Sequence, residues 1–294
     1  MGEKHLISGL QLWQWRNTAL QAAITTDVPP AEVDWLLLEV AGLDRLALRL
    51  ESYKNWPQIQ LQLPLEELDH LWQRRLHDRL PVQYIAGVTP WRNFQIAVSS
   101  AVLIPRPETE YLIDLALASA SNASGHWADL GTGSGAIALG LADVLPVTIH
   151  AVDYSLEALA IAQTNAHNLG FADRIKFYQG SWWEPLTFLK GQFSGMVSNP
   201  PYIPTSTLPT LQLEVVNHEP HLALDGGTDG LDCIRHLIEI SPSYLQPGGV
   251  WLIEMMAGQA DAVRELLQNQ GSYCKIQIHA DLAGIERFAL AYKS

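Results

Sequence analysis

Basic residues are scarce: 18 Lys and Arg stand against 31 Asp and Glu, a formal net charge of −13. Such a balance repels phosphate backbones instead of collecting them, so general nucleic-acid binding is disfavoured from the start. Cysteine is scarcer still. Cys233 and Cys274 lie far apart and in no C-x-x-C arrangement, which argues against a disulfide framework and a thiolate zinc site; both are expected to be reduced and buried. The ten histidines show no H-E-x-x-H or Cys/His spacing, and His218 and His221 beside Glu219 fall in a Pro-containing stretch, so metal catalysis lacks support. No uncharged apolar run reaches the ~18 residues of a membrane span. The opening MGEKHLISGLQLWQW lacks the apolar core and small-residue cleavage site of a secretory signal. We expect a soluble cytoplasmic protein with no membrane partner. Charged residues make up only 17% of the chain and apolar residues 48%, a composition of folded globules and not of disordered chains.

What is present divides by pattern. Its 294 residues suit two domains. Up to about Leu80, apolar positions recur at helical spacing, as in Val33, Leu36, Leu37 and Val40 and again in Leu65, Leu68, Leu71 and Leu76. Pro29 and Pro30 precede one helix and Pro64 another, positions where a missing N–H costs nothing. Arg74, Arg75 and Arg79 read as a solvated helix face. Between Tyr84 and Ile104 short alternating runs, broken by Gly87, Pro90 and Ser99-Ser100, suggest a β-hairpin. Beyond Glu108, buried strand segments such as WADL, TIHAVD, IKFYQ, GMVSN and GVWLIEM alternate with helical stretches, which implies a parallel sheet wrapped by helices. KIQIHAD and RFALAYK are separated by only a short Gly-containing connection, which allows a hairpin and therefore an antiparallel edge strand. The expected division is a helical bundle over residues 1–83, a hairpin linker over 84–105 and an α/β domain over 106–294.

Two motifs carry chemistry. The first is DLGTGSGAI, starting at Asp129, directly after a strand and directly before a helix. Gly131, Gly133 and Gly135 let the backbone turn and approach a ligand with no Cβ in the way, and Asp153, ending the next strand, is placed to accept from both ribose hydroxyls. Together they imply an adenosine-containing ligand, although the loop alone also fits the dinucleotide form. The second is Asn199-Pro200-Pro201-Tyr202 after the strand ending near Val197. Two prolines stiffen the segment and remove its own donors. The Asn199 side-chain oxygen and the Pro200 carbonyl can then take both hydrogens of a planar NH2 group, with Tyr202 stacked on its face. Such a pocket reads amides or amino-purines.

These motifs resemble those of class I S-adenosyl-L-methionine-dependent methyltransferases that modify planar amino groups. The stretch RLPVQYIAGVTPWRNFQIAVSSAVLIPRPETE, from Arg79, narrows the likeness to the enzymes that methylate the glutamine of the Gly-Gly-Gln loop of peptide chain release factors, and DLAGIER at 281 to 287 is similar to that family's ending. The resemblance implies a Rossmann-like, seven-stranded α/β sheet, a helical domain that grips the protein substrate, and S-adenosyl-L-methionine as cofactor. It implies cofactor contacts at Gly131, Thr132, Gly133, Ser134, Gly135, Asp153 and Trp182, with Asn199 near the methyl donor. Asn199, Pro200, Pro201 and Tyr202 would hold the substrate amide, Asn199, Pro200 and Tyr202 doing the catalytic work, and Arg106 and Glu108 would help to position the pocket. Release factors are the implied partners of a monomeric enzyme that does not bind nucleic acid directly. Ser181 stands where the family often has Asp, and Met255-Met256 follow Glu254 where a His-Gly or Ile-Gly pair is usual. Three other readings are a DNA or RNA adenine-N6 methyltransferase, an NAD-dependent dehydrogenase and a non-catalytic binder; net charge opposes the first, NPPY has no job in the second, and the intact motifs oppose the third.

Overall fold

The computed structural model describes residues 5–120 and 125–294. The chain separates into two units: one runs to Val88 and also includes Gln212–His218, and the other comprises Thr89–Leu211 and Glu219–Ser294.

In the first unit, β1 (His5–Ile7) leads into α1 (Gly9–Thr25), whose start is closed by a reciprocal capping box between Ser8 and Gln11. α2 (Ala31–Ala41) follows Pro30, and α3 (Arg45–Leu50) is capped by the Asp44 side chain. β2 (Ile59–Leu61) pairs antiparallel with β1. α4 (Leu65–His77) and α5 (Val82–Ala86) complete the N-terminal run. The helical periodicity points inward as expected: Val33, Leu36, Leu37 and Val40 are buried in one core with Tyr53, Leu68 and Trp72. The three-residue strands β1 and β2 escape the sequence pattern because so short a segment has no period to read. Tyr84, expected to open the hairpin, instead belongs to α5, which ends at Gly87 in a left-handed conformation.

The second unit begins at Thr89, the second residue of β3 (Val88–Trp91), which forms a two-stranded sheet with β4 (Phe94–Ala97); Val102 and Ile104 are buried but outside any strand. There follow α6 (Tyr111–Ser119), β5 (His126–Leu130), α7 (Ala136–Val144), β6 (Thr148–Asp153), α8 (Leu156–Asn168), β7 (Ile175–Gln179) and β8 (Phe193–Ser198). After α9 (Leu213–His218), which belongs to the first unit, come α10 (Asp232–Ile240), β9 (Leu245–Glu254), α11 (Ala260–Gln270), β10 (Tyr273–Ala280) and β11 (Glu286–Lys293). One seven-stranded sheet takes the order β10-β11-β9-β8-β5-β6-β7. Strands β5 to β9 are mutually parallel, and β11 alone runs against its neighbours β9 and β10. The antiparallel strand is thus next to the edge and not the edge itself. Burial explains the placement: Phe288 to Ala291 of β11 are buried and need a strand on either side, whereas β10 alternates toward solvent and tolerates the edge. Cys274 is exposed on β10 and Cys233 is partly exposed, so neither is buried as expected, though both are free thiols.

The segment of the first unit contributed from mid-chain corrects another expectation. Arg75 is not on a solvated face: it is 5% exposed, and its guanidinium binds Glu32 through Nε and Nη2 and Glu214 of α9 through Nη1 at 2.8 Å. Arg79 turns back to the Thr26 carbonyl, leaving Arg74 on a weak exposed pair with Asp78. The apolar positions set which face of α4 is inside, and Arg75 is admitted there only because two carboxylates meet it. Replacing Arg75 by Ala strands both carboxylates; we expect a loss of ~3 kcal/mol of stability, measurable as a lower urea midpoint with no change in cofactor affinity.

Candidate active site

The site is assembled at the carboxyl ends of β5, β6 and β8, neighbours in the sheet. After β5 the backbone adopts positive φ at Gly131 (78°), Gly133 (55°) and Gly135 (85°), a run of conformations that side chains with a Cβ rarely adopt. The Gly131 and Thr132 amides both donate to the Val152 carbonyl at 2.9 Å, and the Gly133 amide donates to Asp153 Oδ2 at 2.8 Å. Asp153 Oδ1 accepts the Ser155 amide, so one carboxylate ties the loop to the end of β6. Burial raises the pKa of Asp153, and the bonds from Ser155 and Gly133 oppose the shift. Trp182, itself at positive φ, lays its indole where a Cβ on Gly131 would stand 3.5 Å away.

Beneath the loop, Asp129 is wholly buried. Its Oδ2 accepts from the Thr132 hydroxyl at 2.5 Å and from the Ala138 amide at 3.0 Å, while Oδ1 has no hydrogen-bond partner among the described residues. Burial pushes its pKa up to about 7. Its Oδ2 thereby ties Thr132 of the loop to the first turn of α7.

After β8, Ser198 Oγ donates to the Leu130 carbonyl at 2.6 Å, locking the start of the tetrapeptide to the root of the glycine loop. Asn199 Nδ2 donates to Thr109 Oγ1 at 3.3 Å, Thr109 Oγ1 donates to Glu254 Oε2 at 2.7 Å, and the Tyr202 hydroxyl donates to Glu254 Oε1 at 3.1 Å. Gln259 Nε2 holds the Tyr202 and Gly230 carbonyls at 3.1 and 3.2 Å. The bed under this segment is the stretch from Asp225 to Gly230: Ile203 bridges to Asp225, and a Cβ at Gly230 would lie 2.3 Å from the Tyr202 carbonyl oxygen. Gln259 also accepts from the Met256 amide through Oε1, so the unusual Met255-Met256 turn has its own anchor.

A cavity of about 510 Å³ runs through these elements, a size usual for small-molecule sites. Of the residues singled out in the sequence, Gly131, Thr132, Gly133, Ser134, Asp153, Trp182, Asn199 and Pro201 line it. Gly135 caps α7 and packs against Ala162. Pro200 is buried, and Tyr202 is engaged by Glu254; neither is in the cavity wall. Arg106 pairs with buried Glu219 at 2.6 Å, and Glu108 opens the 3-10 turn that delivers Thr109. His218 bonds the Asp78 carbonyl, and no metal-holding cluster occurs among the described residues. Sequence reasoning passed over Thr109, Glu254, Gln259 and the glycine bed. Their signals were present: Thr109 lies inside PRPETE, Glu254 ends the strand beside β8, and three glycines crowd the stretch after Asp225.

The strand order, the glycine loop and the acid at the end of β6 define an S-adenosylmethionine-dependent methyltransferase, and S-adenosylmethionine as the methyl donor fits a cavity lined by that loop, by Asp153 and by the flat Trp182 indole. Residues 109–226 match the methyltransferase small domain family and residues 11–87 the PrmC N-terminal domain family. A release factor glutamine methyltransferase of Synechocystis sp. is 54% identical, with 98% of each chain covered, and one of Thermosynechococcus vestitus is 48% identical, covering 95% of this chain and 96% of the other. A methyltransferase of Pyrococcus furiosus shares the fold at a TM-score of 0.53 and 16% identity, over 77% of this chain and 99% of that one. The chain belongs to the release factor glutamine methyltransferase family.

The Asp129 carboxyl has a measurable consequence in the ligand-free protein. Its folded pKa lies above its unfolded value, so folding takes up a proton between roughly pH 4 and 7 and this group's contribution to stability falls as pH rises through that window. Asp129→Asn removes the titration; the stability difference between variant and parent, followed by urea unfolding, is expected to shift in favour of the variant from pH 4 to pH 7.

Proposed function

We propose that the protein transfers the methyl group of S-adenosyl-L-methionine to the side-chain amide nitrogen (N5) of the glutamine in the Gly-Gly-Gln motif of peptide chain release factors. The observation that carries this reading is Asn199: it lines the cavity while its Nδ2 is committed to Thr109, which leaves Oδ1 as an acceptor for an incoming NH2 group. In this reading Gly131, Thr132, Gly133 and Ser134 hold the methionine and adenosyl portions. Asp153 retains lone pairs for the ribose hydroxyls beyond those its two backbone bonds use, and Trp182 covers the adenine side. The helical unit grips the release factor. In the same reading the enzyme works as a cytoplasmic monomer, and the charge of −13 accords with a protein substrate and no direct nucleic-acid contact.

When bound, S-adenosylmethionine supplies an electrophilic methyl carbon on a sulfonium that keeps the bonding pair as the bond breaks. The residues have to make an amide nitrogen, whose lone pair is delocalised, act as the nucleophile. Asn199 Oδ1 at the cavity wall takes one of its hydrogens and the carbonyl of the adjoining Pro200, set back from that wall, takes the other, so that the nitrogen plane is held with its lone pair facing the donor. Positive charge grows on nitrogen as the N–C bond forms, and these fixed dipoles stabilise it more than the ground state. The surplus proton rests in the hydrogen bond to Asn199 Oδ1 before leaving to solvent. Pro201 shapes the wall, and Tyr202, pinned by Glu254 and Gln259, keeps the tetrapeptide from shifting.

With labelled S-adenosylmethionine and a purified release factor, the label is expected on the Gly-Gly-Gln glutamine in peptide mass spectra; labelling of DNA or ribosomal RNA alone would overturn the assignment in favour of adenine. Asn199→Ala is expected to slow transfer by ~10²-fold or more while calorimetry shows cofactor affinity within a few-fold of the parent. An unchanged rate would sink the mechanism.

A further inference from the structure

The orientation of Asn199 decides which group the cavity accepts. With Oδ1 presented, the side chain takes hydrogens from an NH2; with Nδ2 presented, it donates and suits a carboxylate or carbonyl oxygen. Nothing in asparagine itself chooses between the two, because the amide can rotate by half a turn and keep its shape. The choice has to come from the neighbour, Thr109, and a hydroxyl is no better, since it both donates and accepts. Glu254 removes the ambiguity. It is 2% exposed and ends β9, and an ionised carboxylate only accepts. Its two oxygens receive one hydroxyl each, from Thr109 and Tyr202. Once the Thr109 hydrogen is spent on Glu254, only lone pairs are left for Asn199, and only Nδ2 can use them.

We propose that Glu254 is a positioning residue: acting through Thr109, it fixes the Asn199 carboxamide with Oδ1 toward the acceptor and so selects a glutamine amide over a glutamate carboxylate. The inference rests on the reading of Asn199 as the holder of the acceptor amide. Burial raises the pKa of Glu254, and Glu108 adds to the rise, whereas the two hydroxyl bonds and Arg287 favour the anion. The arrangement therefore depends on both hydroxyls, and a single one removed weakens the anion as well as freeing Asn199. Thr109 is delivered by the turn of the PRPETE segment and Glu254 by the sheet, so the relay joins elements remote in sequence.

The test compares Thr109→Val, which keeps the shape and loses the hydroxyl, with Thr109→Ser, which restores it, and with Glu254→Gln, which can donate as well as accept. Release factors carrying Gly-Gly-Gln are the substrate, and the same factors with Gly-Gly-Glu are the competitor. The parent and Thr109→Ser should bind the Glu form poorly relative to the Gln form. In Thr109→Val and Glu254→Gln, kcat should fall and that preference should shrink, each on the order of tenfold or more, with KM for the factor and calorimetric cofactor affinity near parental. A readout free of turnover accompanies it: the side-chain NH2 resonances of Asn199 in ¹⁵N-labelled protein, identified by their loss in Asn199→Ala. Slow hydrogen exchange of one Asn199 amide hydrogen in the parent and Thr109→Ser, lost in Thr109→Val, supports the relay even if release factors prove not to be the substrate. Parental discrimination in either Thr109→Val or Glu254→Gln, a serine variant as impaired as the valine one, or unprotected Asn199 hydrogens in the parent would overturn it. A parent that does not methylate Gly-Gly-Gln overturns the proposed function instead.

Discussion

The parallel pairing of β5 with β6 on one side and β8 on the other is the constraint on which the site depends. Register brings Leu130, Asp153 and Ser198 to one rim although long helices separate them in the chain. At that rim the chain reverses direction across the sheet, leaving a crevice that no crossover fills. Hydrogen bonds then close the corner: the Val152 carbonyl receives two loop amides, Asp153 a third, and Ser198 reaches across to Leu130. The glycines serve this geometry twice. At Gly133 a Cβ would meet only open space, so the need there is conformational; at Gly230 it would strike the Tyr202 carbonyl, so the need is close approach.

Much of this was readable from residue order. Periodicity placed the buried faces of α2 and α4, alternation of strand and helix implied the parallel sheet, and the loop at 131–135 with Asp153 located the cavity. What escaped shares a physical cause. Arg75 looked like a surface charge because a linear pattern cannot show that Glu214 arrives from far downstream. Thr109, Glu254 and Gln259 are single polar residues in otherwise ordinary contexts, and their meaning lies in pairing across the sheet. Cys274 looked buried by residue type, but its strand is an edge. The swap of β11 inward follows from which strand is apolar on both faces, a property visible in its run of Phe, Ala and Leu only once two neighbours are in mind.

Three of the buried ionisable groups divide the labour of the fold. Arg75 is matched by carboxylates on two elements and knits its unit. Glu254 is matched by hydroxyls and orders the cavity wall. Asp129 is left short of one partner under the glycine loop. Burying any of them costs solvation that only the completed set of contacts offsets. Such groups therefore add less to net stability than the number of their contacts suggests.

The placement of α9 in the helical unit has a consequence for biosynthesis. The ribosome delivers residues up to Val88 early, yet Glu214 and the rest of Gln212–His218 emerge only after four strands of the sheet have been made. Until then the Glu214 half of the ion-pair set around Arg75 cannot form. Completion of the leading portion of the polypeptide is thus deferred to late elongation, and maturation of this protein is not a simple procession from the amino end.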